Sequence, residues 1–489
     1  MMRYLLVLTL AACGSTKVTT ATSTCSDGTQ NGNETGVDCG GSCSPCPAPS
    51  CSDGIQNGDQ TGVDCGGSCP ACAPSCSDGI QNGDETDVDC GGSCPACAPS
   101  CSDGMQNGDE TDVDCGGSCP ACEASCSDLL QNGDETGVDC GGSCDACPAP
   151  VPRGGRVVGI AASPSENDTG DGGSMDTWSE NALEESLRAH VGVVLLRLQW
   201  GEVETSPMEY DNTVLDWANN AYARDGLRVI LALDPIDGFF KSVPSDLEPT
   251  PFDDPQVIAR YQQLLDHVFS RLADLDIPVL LVGNEVSPYL QETNQWQAYT
   301  PFYEAVGDYA RDMVPTIEVG ATGVGQSEEE EEEAPSAVSA PMQALNRHSD
   351  VIALTYYPLA PTFTWLVDTY PDKPIIITEI GFPSSPLLGS SEEIQAGFVR
   401  RVFRAWDEHA SQVRYLLFFM LHDMSAEEAQ GWEDMICQEL PAECDQPGVH
   451  AAIFSSWGLR TYPGSGTDKL GFSALIEETE ARGWEPASP

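Results

Sequence analysis

At 489 residues the chain has room for one large domain or two to three ordinary ones. Its 77 acidic against 21 basic side chains give a net charge of −56, which excludes a nucleic-acid backbone as partner, since no basic face exists to displace counterions. The same charge disfavours acidic polysaccharides and leaves neutral ligands and divalent cations open, while 23 cysteines point to an oxidising compartment.

The chain begins with a short basic region, Met1-Met2-Arg3, an apolar one from Tyr4 to Leu10, and the small-residue site Leu10-Ala11-Ala12-Cys13. The apolar region is too short to cross a bilayer. Leu10-Ala11-Ala12-Cys13 resembles the lipobox of bacterial lipoproteins. That resemblance implies a signal peptide over 1–12, lipidation at Cys13, and, with Gly14 next, sorting to the outer membrane. An ordinary cleaved signal peptide is the alternative.

Residues 13–24 read as a flexible Ser/Thr-rich tether. Five Cys-rich repeats then fill 25–147, beginning at Cys25, Cys51, Cys76, Cys101 and Cys126, the last four spaced by 25 residues. Each holds four cysteines, enough for two bridges with three possible connectivities. With almost no apolar side chains a repeat cannot build a core, so crosslinks must order it. No Lys or Arg lies between Lys17 and Arg153. Asp78, Asp84 and Asp89 in the third copy are hard oxygen donors that suit Ca²⁺; the competing reading is that these residues make turns. The copies resemble Cys-rich repeats of bacterial surface proteins, which implies a stalk. A Pro-rich linker over 148–155 ends the array.

From 156 to 489 short apolar runs alternate with helical patterns. Strands are expected near Val157–Ala162, Val193–Gln199, Leu227–Leu233, Val279–Asn284, Thr316–Ala321, Val351–Tyr357, Pro374–Thr378 and Val413–Met420. Helices are expected at Glu180–His190, Val214–Asp225, Pro255–Leu275, Pro301–Met313 and Glu392–His409. Eight strand–helix units over this length predict an α/β fold, a (β/α)8 TIM barrel preceded by a disulfide-rich stalk with little regular secondary structure. A doubly wound open sheet is the runner-up, but no glycine-rich phosphate loop follows the first strand. Glu328 to Glu333, six like charges in a row, read as a solvated insertion after the fifth strand.

Two strands end in a carboxylate. Val279-Leu280-Leu281-Val282 runs into Gly283-Asn284-Glu285, and Ile375-Ile376-Ile377-Thr378 into Glu379. A charge at the end of a buried strand is costly unless it is paired or used. On a barrel both would open onto the C-terminal face, where the chemistry of this fold is found. Two carboxylates there can run glycoside hydrolysis, one donating a proton and the other attacking the anomeric carbon.

Val282-Gly283-Asn284-Glu285-Val286 and Thr378-Glu379-Ile380-Gly381-Phe382-Pro383-Ser384 resemble the acid/base and nucleophile motifs of clan A glycoside hydrolases, most nearly families 17 and 53. The resemblance implies a retaining β-glycosidase with Glu285 as acid/base and Glu379 as nucleophile. Leu196-Arg197-Leu198-Gln199-Trp200 resembles the second-strand motif whose Arg pairs with the nucleophile and would keep it ionised. Thr355-Tyr356-Tyr357-Pro358 resembles the sixth-strand motif whose Tyr holds the nucleophile; Tyr357 is favoured, with Tyr356 open until the inward face is known. Asn284 beside Glu285 is placed to hydrogen-bond a sugar hydroxyl, and Trp200, Tyr356 and Phe382 are read as further substrate contacts, with Phe239, Phe240, Tyr289 and Trp296 as other aromatics able to stack on sugar rings. The chain departs from the clan at strand eight, where Met420 stands in place of a Trp platform. Cys437 and Cys444 are expected to bridge a small loop.

Together these readings give a monomeric, lipid-anchored cell-surface enzyme. It would cleave a neutral β-linked polysaccharide of β-glucan or β-galactan type, needing no cofactor and no metal in the barrel. The alternatives are a catalytically silent carbohydrate-binding lipoprotein, or an adhesin or spacer in which the repeats are the working part.

Overall fold

The computed structural model describes residues 122–162, 175–325, 338–439, 446–462 and 466–484, together with Cys444 and isolated positions of the repeat array before 122. Cys13, Asp78, Asp84, Asp89 and the run Glu328 to Glu333 lie outside the described residues. One compact unit begins at Ala124 and carries the rest of the chain; Val7–Glu123 forms another.

The core of the first unit is a barrel of eight parallel strands. These are β1 (Val157–Ile160), β2 (Val193–Gln199), β3 (Arg228–Asp237), β4 (Asp276–Asn284), β5 in two pieces (Glu318–Gly320 and Thr322–Val324), β6 (Ile352–Thr355), β7 (Ile375–Ile380) and β8 (Val413–Phe418). Each pairs with the next, and β8 returns to β1 through Val157↔Tyr415 and Ile160↔Phe418. The first piece of β5 pairs with β4 and the second with β6, so the ring closes across the single residue Ala321.

Helices follow the strands: α1 (Met175–Leu187), α2 (Thr213–Arg224), α3 (Pro255–Arg271), α4 (Trp296–Met313), α5 (Ala340–Leu345), α6 (Thr364–Thr369), α7 (Glu392–Glu408) and α8 (Leu470–Ala481). Start signals are local. Asp254 caps α3 by accepting from the Gln256 amide, with Pro255 at the first helical position. Ser391 caps α7 on the Ile394 amide. Between β8 and α8 lie two further helices, Ala426–Glu439 and Val449–Phe454, and the Cys437–Cys444 disulfide ties the end of the first to the loop that follows it.

Strands buried on both faces explain the unbroken apolar runs. One face packs on the helices. The other fills the lumen with Val193 and Leu195 of β2, Ile230 and Ala232 of β3, Val279 and Leu281 of β4, Val351 just before β6 and Ala353 within it, and Ile376 of β7. Because strand side chains alternate with period two, continuing these counts towards the C-terminal mouth points Arg197, Asp234, Thr355 and Tyr357 inward. On β7 the count is broken. The ladder passes from Leu354↔Ile377 to Thr355↔Glu379, and this bulge brings Glu379 rather than Thr378 to the inner face.

The fifth repeat belongs to the barrel unit. Its cysteines pair first to third and second to fourth, Cys126–Cys144 and Cys140–Cys147, as Cys101–Cys119 and Cys115–Cys122 do in the fourth. Copies one to four have glycine at the fourth position, as at Gly54, whose φ is +74°. The fifth has Leu129 in the same left-handed region, φ +65°. Its side chain joins the barrel core, and its carbonyl lies so close to α7 that a Cβ on Gly397 would sit 1.7 Å from it. Asp139 accepts from the Leu129 amide and pairs with Arg401 of α7 at 3.1 Å. The stretch read as a linker is also tied down: Arg156 donates to the Val151 and Pro152 carbonyls and pairs with Asp407 at 2.7 Å.

The fifth copy also bears on the Ca²⁺ reading, because all of its acidic positions are described. Asp128 accepts from the Leu130 amide and from Asn132, Asp134 from Ser143, and Glu135 from the Asn132 and Asp139 amides. Each carboxylate holds a turn. Among the described residues no three carboxylates converge, and the two tight clusters of metal-ligating types each contain a disulfide.

Candidate active site

The strand mouths bring Arg197, Glu285, Thr355, Tyr357 and Glu379 together. Both Glu379 oxygens are held by donors: Arg197 Nη2 reaches Oε1 at 2.6 Å and the Tyr357 hydroxyl donates to Oε2 at 2.5 Å. Burial and the adjacent Glu379 carboxylate push the Tyr357 phenol well above its ordinary range, so it stays a donor. The guanidinium lies among several carboxylates, and those attractions outweigh its burial and hold it charged. Counting from Val351 puts Tyr357 on the inner face and Tyr356 on the outer, which decides between the two.

Glu285 is built differently. It follows β4 directly in a left-handed conformation, φ 45° and ψ 46°, and is 1% exposed. For a glutamate that backbone costs roughly 1–2 kcal/mol and persists only where its surroundings enforce it, a pattern that clusters at functional sites. Gly283 helps to enforce it: with φ +87°, a Cβ there would lie 2.5 Å from Val286. Thr355 donates to Glu285 Oε1 at 2.6 Å, and Oε2 is buried without a partner. Burial first and Glu379 second push the Glu285 carboxyl up to about 7.

Around this pair runs a polar frame. Asn284 accepts from Arg197 at 3.0 Å and donates to Asp237 at 2.8 Å, and Asp237 accepts from Gln199 at 3.0 Å. Asn284 is 2% exposed, so its amide ties β2, β3 and β4 together. Beneath the guanidinium, Asp234 is fully buried with neither oxygen hydrogen-bonded, 3.8 Å from Arg197 Nε. Burial pushes its carboxyl well above the ordinary range.

Two aromatic residues expected to contact substrate are buried away from the barrel mouth. Trp200 is completely buried, stacked edge-on against Tyr261 with its indole N–H donated to Glu204. Tyr356 is 1% exposed among Phe363 and Trp365. Both point to the helix side of the barrel, which local sequence cannot separate from the mouth side at a strand end. Phe382 is half-buried and stacks on Phe398 of α7 at 5.0 Å. Phe240, just past β3, is 51% exposed.

Thr355, Asp234, Asp237 and Trp457 were missed by sequence. The first two are the next inward positions after Ala353 and Ala232, so extending the alternation would have found them. Trp457 carries no such signal. It comes from the segment between β8 and α8 and packs against Tyr357 at 4.6 Å and Phe419 at 5.5 Å. Met420, where a strand-eight Trp is expected, is buried. The bridge expected between Cys437 and Cys444 is present.

No protein-family model matches the chain, and no curated protein matches it. Several solved structures are similar to part of it. An exo-β-1,4-mannosidase from Opitutaceae bacterium strain TAV5 is 17% identical over 67% of this chain and 59% of its own, with a TM-score of 0.47. A family 5, subfamily 18 glycoside hydrolase from Streptomyces cattleya, in complex with Manβ1-4GlcNAc, is 16% identical over 68% and 82%, with a TM-score of 0.48. A family 39 glycoside hydrolase from Bacteroides cellulosilyticus WH2 is 14% identical over 68% and 66%, with a TM-score of 0.45. Likenesses at this level leave the chemistry of the site to be argued from its own residues.

Proposed function

We propose that the barrel is a retaining β-glycosidase acting on a neutral β-linked polysaccharide. The observation that carries this reading is the unequal treatment of two buried carboxyls at one barrel mouth. Glu379 has a donor on each oxygen, while Glu285 has one donor, one bare oxygen and a carboxyl raised to about 7. A nucleophile must be oriented, and a proton carrier must hold its proton near neutral pH.

In the first step Glu379 attacks the anomeric carbon while Glu285 gives its proton to the departing oxygen. In the second, Glu285 takes a proton from water as that water displaces Glu379. Arg197 and Tyr357 orient the nucleophile and follow its charge as it is consumed and restored. The net charge of −56 favours uncharged glycans over acidic ones.

The reading extends to location: a protein exported and lipid-anchored through Cys13 in the outer membrane, with the repeats as its stalk. Labelling with a palmitate analogue, lost on Cys13→Ala, tests the anchor.

The enzymatic reading is tested on β-1,3-glucan, β-1,4-galactan, β-1,4-mannan and cellulose, alongside aryl β-glycosides, with Glu379→Ala as control. Hydrolysis with the β-anomer released first, seen by proton NMR, is the expected result. An α-anomer, or unchanged turnover by Glu379→Ala, overturns it. Binding without turnover on every glycan would favour a silent carbohydrate-binding protein.

A further inference from the structure

We propose that Thr355 is the positioning residue of the proton carrier: its hydroxyl ties down Glu285 Oε1 and reserves Oε2 as the oxygen that exchanges the proton. The inference rests on the glycosidase reading and deepens it.

Thr355 is completely buried at the inner end of β6. Its hydroxyl has two oxygen neighbours, Glu285 Oε1 at 2.6 Å and the Gly323 carbonyl at 3.5 Å. Only the first is a good hydrogen-bond length, so the single hydroxyl proton goes to Glu285. As a β-branched residue in a strand, Thr355 has few χ1 choices, which fixes the direction of that bond.

The two Glu285 oxygens are therefore inequivalent. Oε1 already accepts a hydrogen bond, whereas Oε2 is buried with nothing to pair it, a costly state unless a substrate atom completes it. In the first step the Oε2–H bond breaks, the proton goes to the glycosidic oxygen, and the C1–O bond breaks as a Glu379 oxygen bonds C1. In the second, water gives a proton to Oε2 while its oxygen takes C1 from Glu379.

Thr355 also sits opposite Glu379 in the β6–β7 ladder. One residue thus holds the acid/base by its side chain and the nucleophile's strand by its backbone. The charged and titratable groups facing Glu285 are Glu379 from β7, Arg197 from β2 and Tyr357 just beyond β6. Of these Glu379 raises the Glu285 carboxyl and Arg197 lowers it, as the Thr355 hydroxyl does.

The test compares wild type, Thr355→Val and Thr355→Ser on aryl β-glycosides with good and poor leaving groups across pH 4–9. Val keeps the shape and removes the hydroxyl. The expected result is a loss of about 10–100-fold in kcat with poor leaving groups, which need the proton, and under about 3-fold in the first step with dinitrophenyl glycosides. The alkaline limb should move up by about one pH unit, since a hydrogen bond to the charged form is lost. Thr355→Ser should recover at least a third of the lost turnover. Should Thr355→Val fail to fold by circular dichroism, Thr355→Ala makes the same comparison. A Val or Ala profile matching wild type in limb and leaving-group dependence overturns the inference while the glycosidase reading stands. A wild type inactive on every substrate overturns both.

Discussion

Arg197 Nη2 lies 2.6 Å from Glu379 Oε1 and 3.0 Å from Asn284 Oδ1, so one guanidinium nitrogen fixes the Glu379 carboxylate against the frame that carries β4. Lysine would keep the charge and lose this planar, shared geometry. Arg197→Lys should lower kcat about 10²–10³-fold, the scale for removing an oriented charge-stabilising donor, with KM changing less than about 3-fold. Steady-state kinetics on an aryl β-glycoside checks this; a loss below 5-fold would show that the charge alone suffices.

The neighbouring tyrosines should behave in opposite ways. Tyr357→Phe removes the hydroxyl on Glu379 Oε2 and should cost about 10–100-fold in kcat. Tyr356→Phe removes a hydroxyl on the outer, helix-packed side that accepts a hydrogen bond from Trp365. It should leave kcat/KM within about 2-fold while lowering stability by about 1 kcal/mol. Paired kinetics and thermal melts separate the two, and equal kinetic losses would contradict the inward assignment of Tyr357.

Glu285 links activity and stability to pH. Its carboxyl is raised from 4.5 to about 7 in the folded state, so activity should fall as pH rises through about 7 and the proton is lost. The raised value also means that this group's stabilising contribution is full below about 4.5 and is lost as pH rises through about 7. Glu285→Gln, which never ionises, should therefore match wild type in melting temperature at pH 4.5 and exceed it at pH 8, while losing activity. Calorimetry at the two pH values decides; an equal offset at both would mean Glu285 does not titrate in this range.

At Leu129 the usual order of substitutions should invert. Leu129→Ala loses the buried side chain, about 2–5 kcal/mol, and keeps the left-handed strain. Leu129→Gly loses the same burial but recovers roughly 1–2 kcal/mol of that strain, returning to the residue of the other copies. Glycine should therefore melt higher than alanine, and Gly397→Ala, which drives a methyl into the Leu129 carbonyl, should release the repeat to proteolysis near 148–155. Thermal melts and limited proteolysis read both, and a lower melt for glycine would remove Leu129 as an anchor.

Much of the barrel was legible because strands buried on both faces leave continuous apolar runs, as Ile375 to Ile377 do. The helices α5 and α6 were not, since six residues make fewer than two turns and show no 3.6-residue period. Strand three runs on to Asp237, past the apolar run ending at Leu233, because Ser242 donates to the Pro235 carbonyl and the ladder continues. Glu285 and Glu379 stand out as carboxylates at strand ends, and Arg197 through the resemblance of its second-strand motif. Thr355 and Asp234 were overlooked, although alternation from Val351 and Ile230 points to them. The same alternation misleads on β7, where it would turn Thr378 inward; only the bulge exposes Glu379, and it leaves no mark in composition. Trp200 and Tyr356 failed for another reason: burial by α3 and α6 is a tertiary fact.

The fusion of the fifth repeat to α7 separates two quantities that sequence periodicity presents as one. The first four repeats share glycine at the position that Leu129 holds in the fifth, so copy number can change among them without touching the Leu129 contact with α7. The copy bearing Leu129 cannot be duplicated or deleted in the same way, because a second one would have no α7 to receive it. On the stalk reading proposed above, unequal recombination within the array changes its length and leaves the Leu129 contact with α7 unchanged.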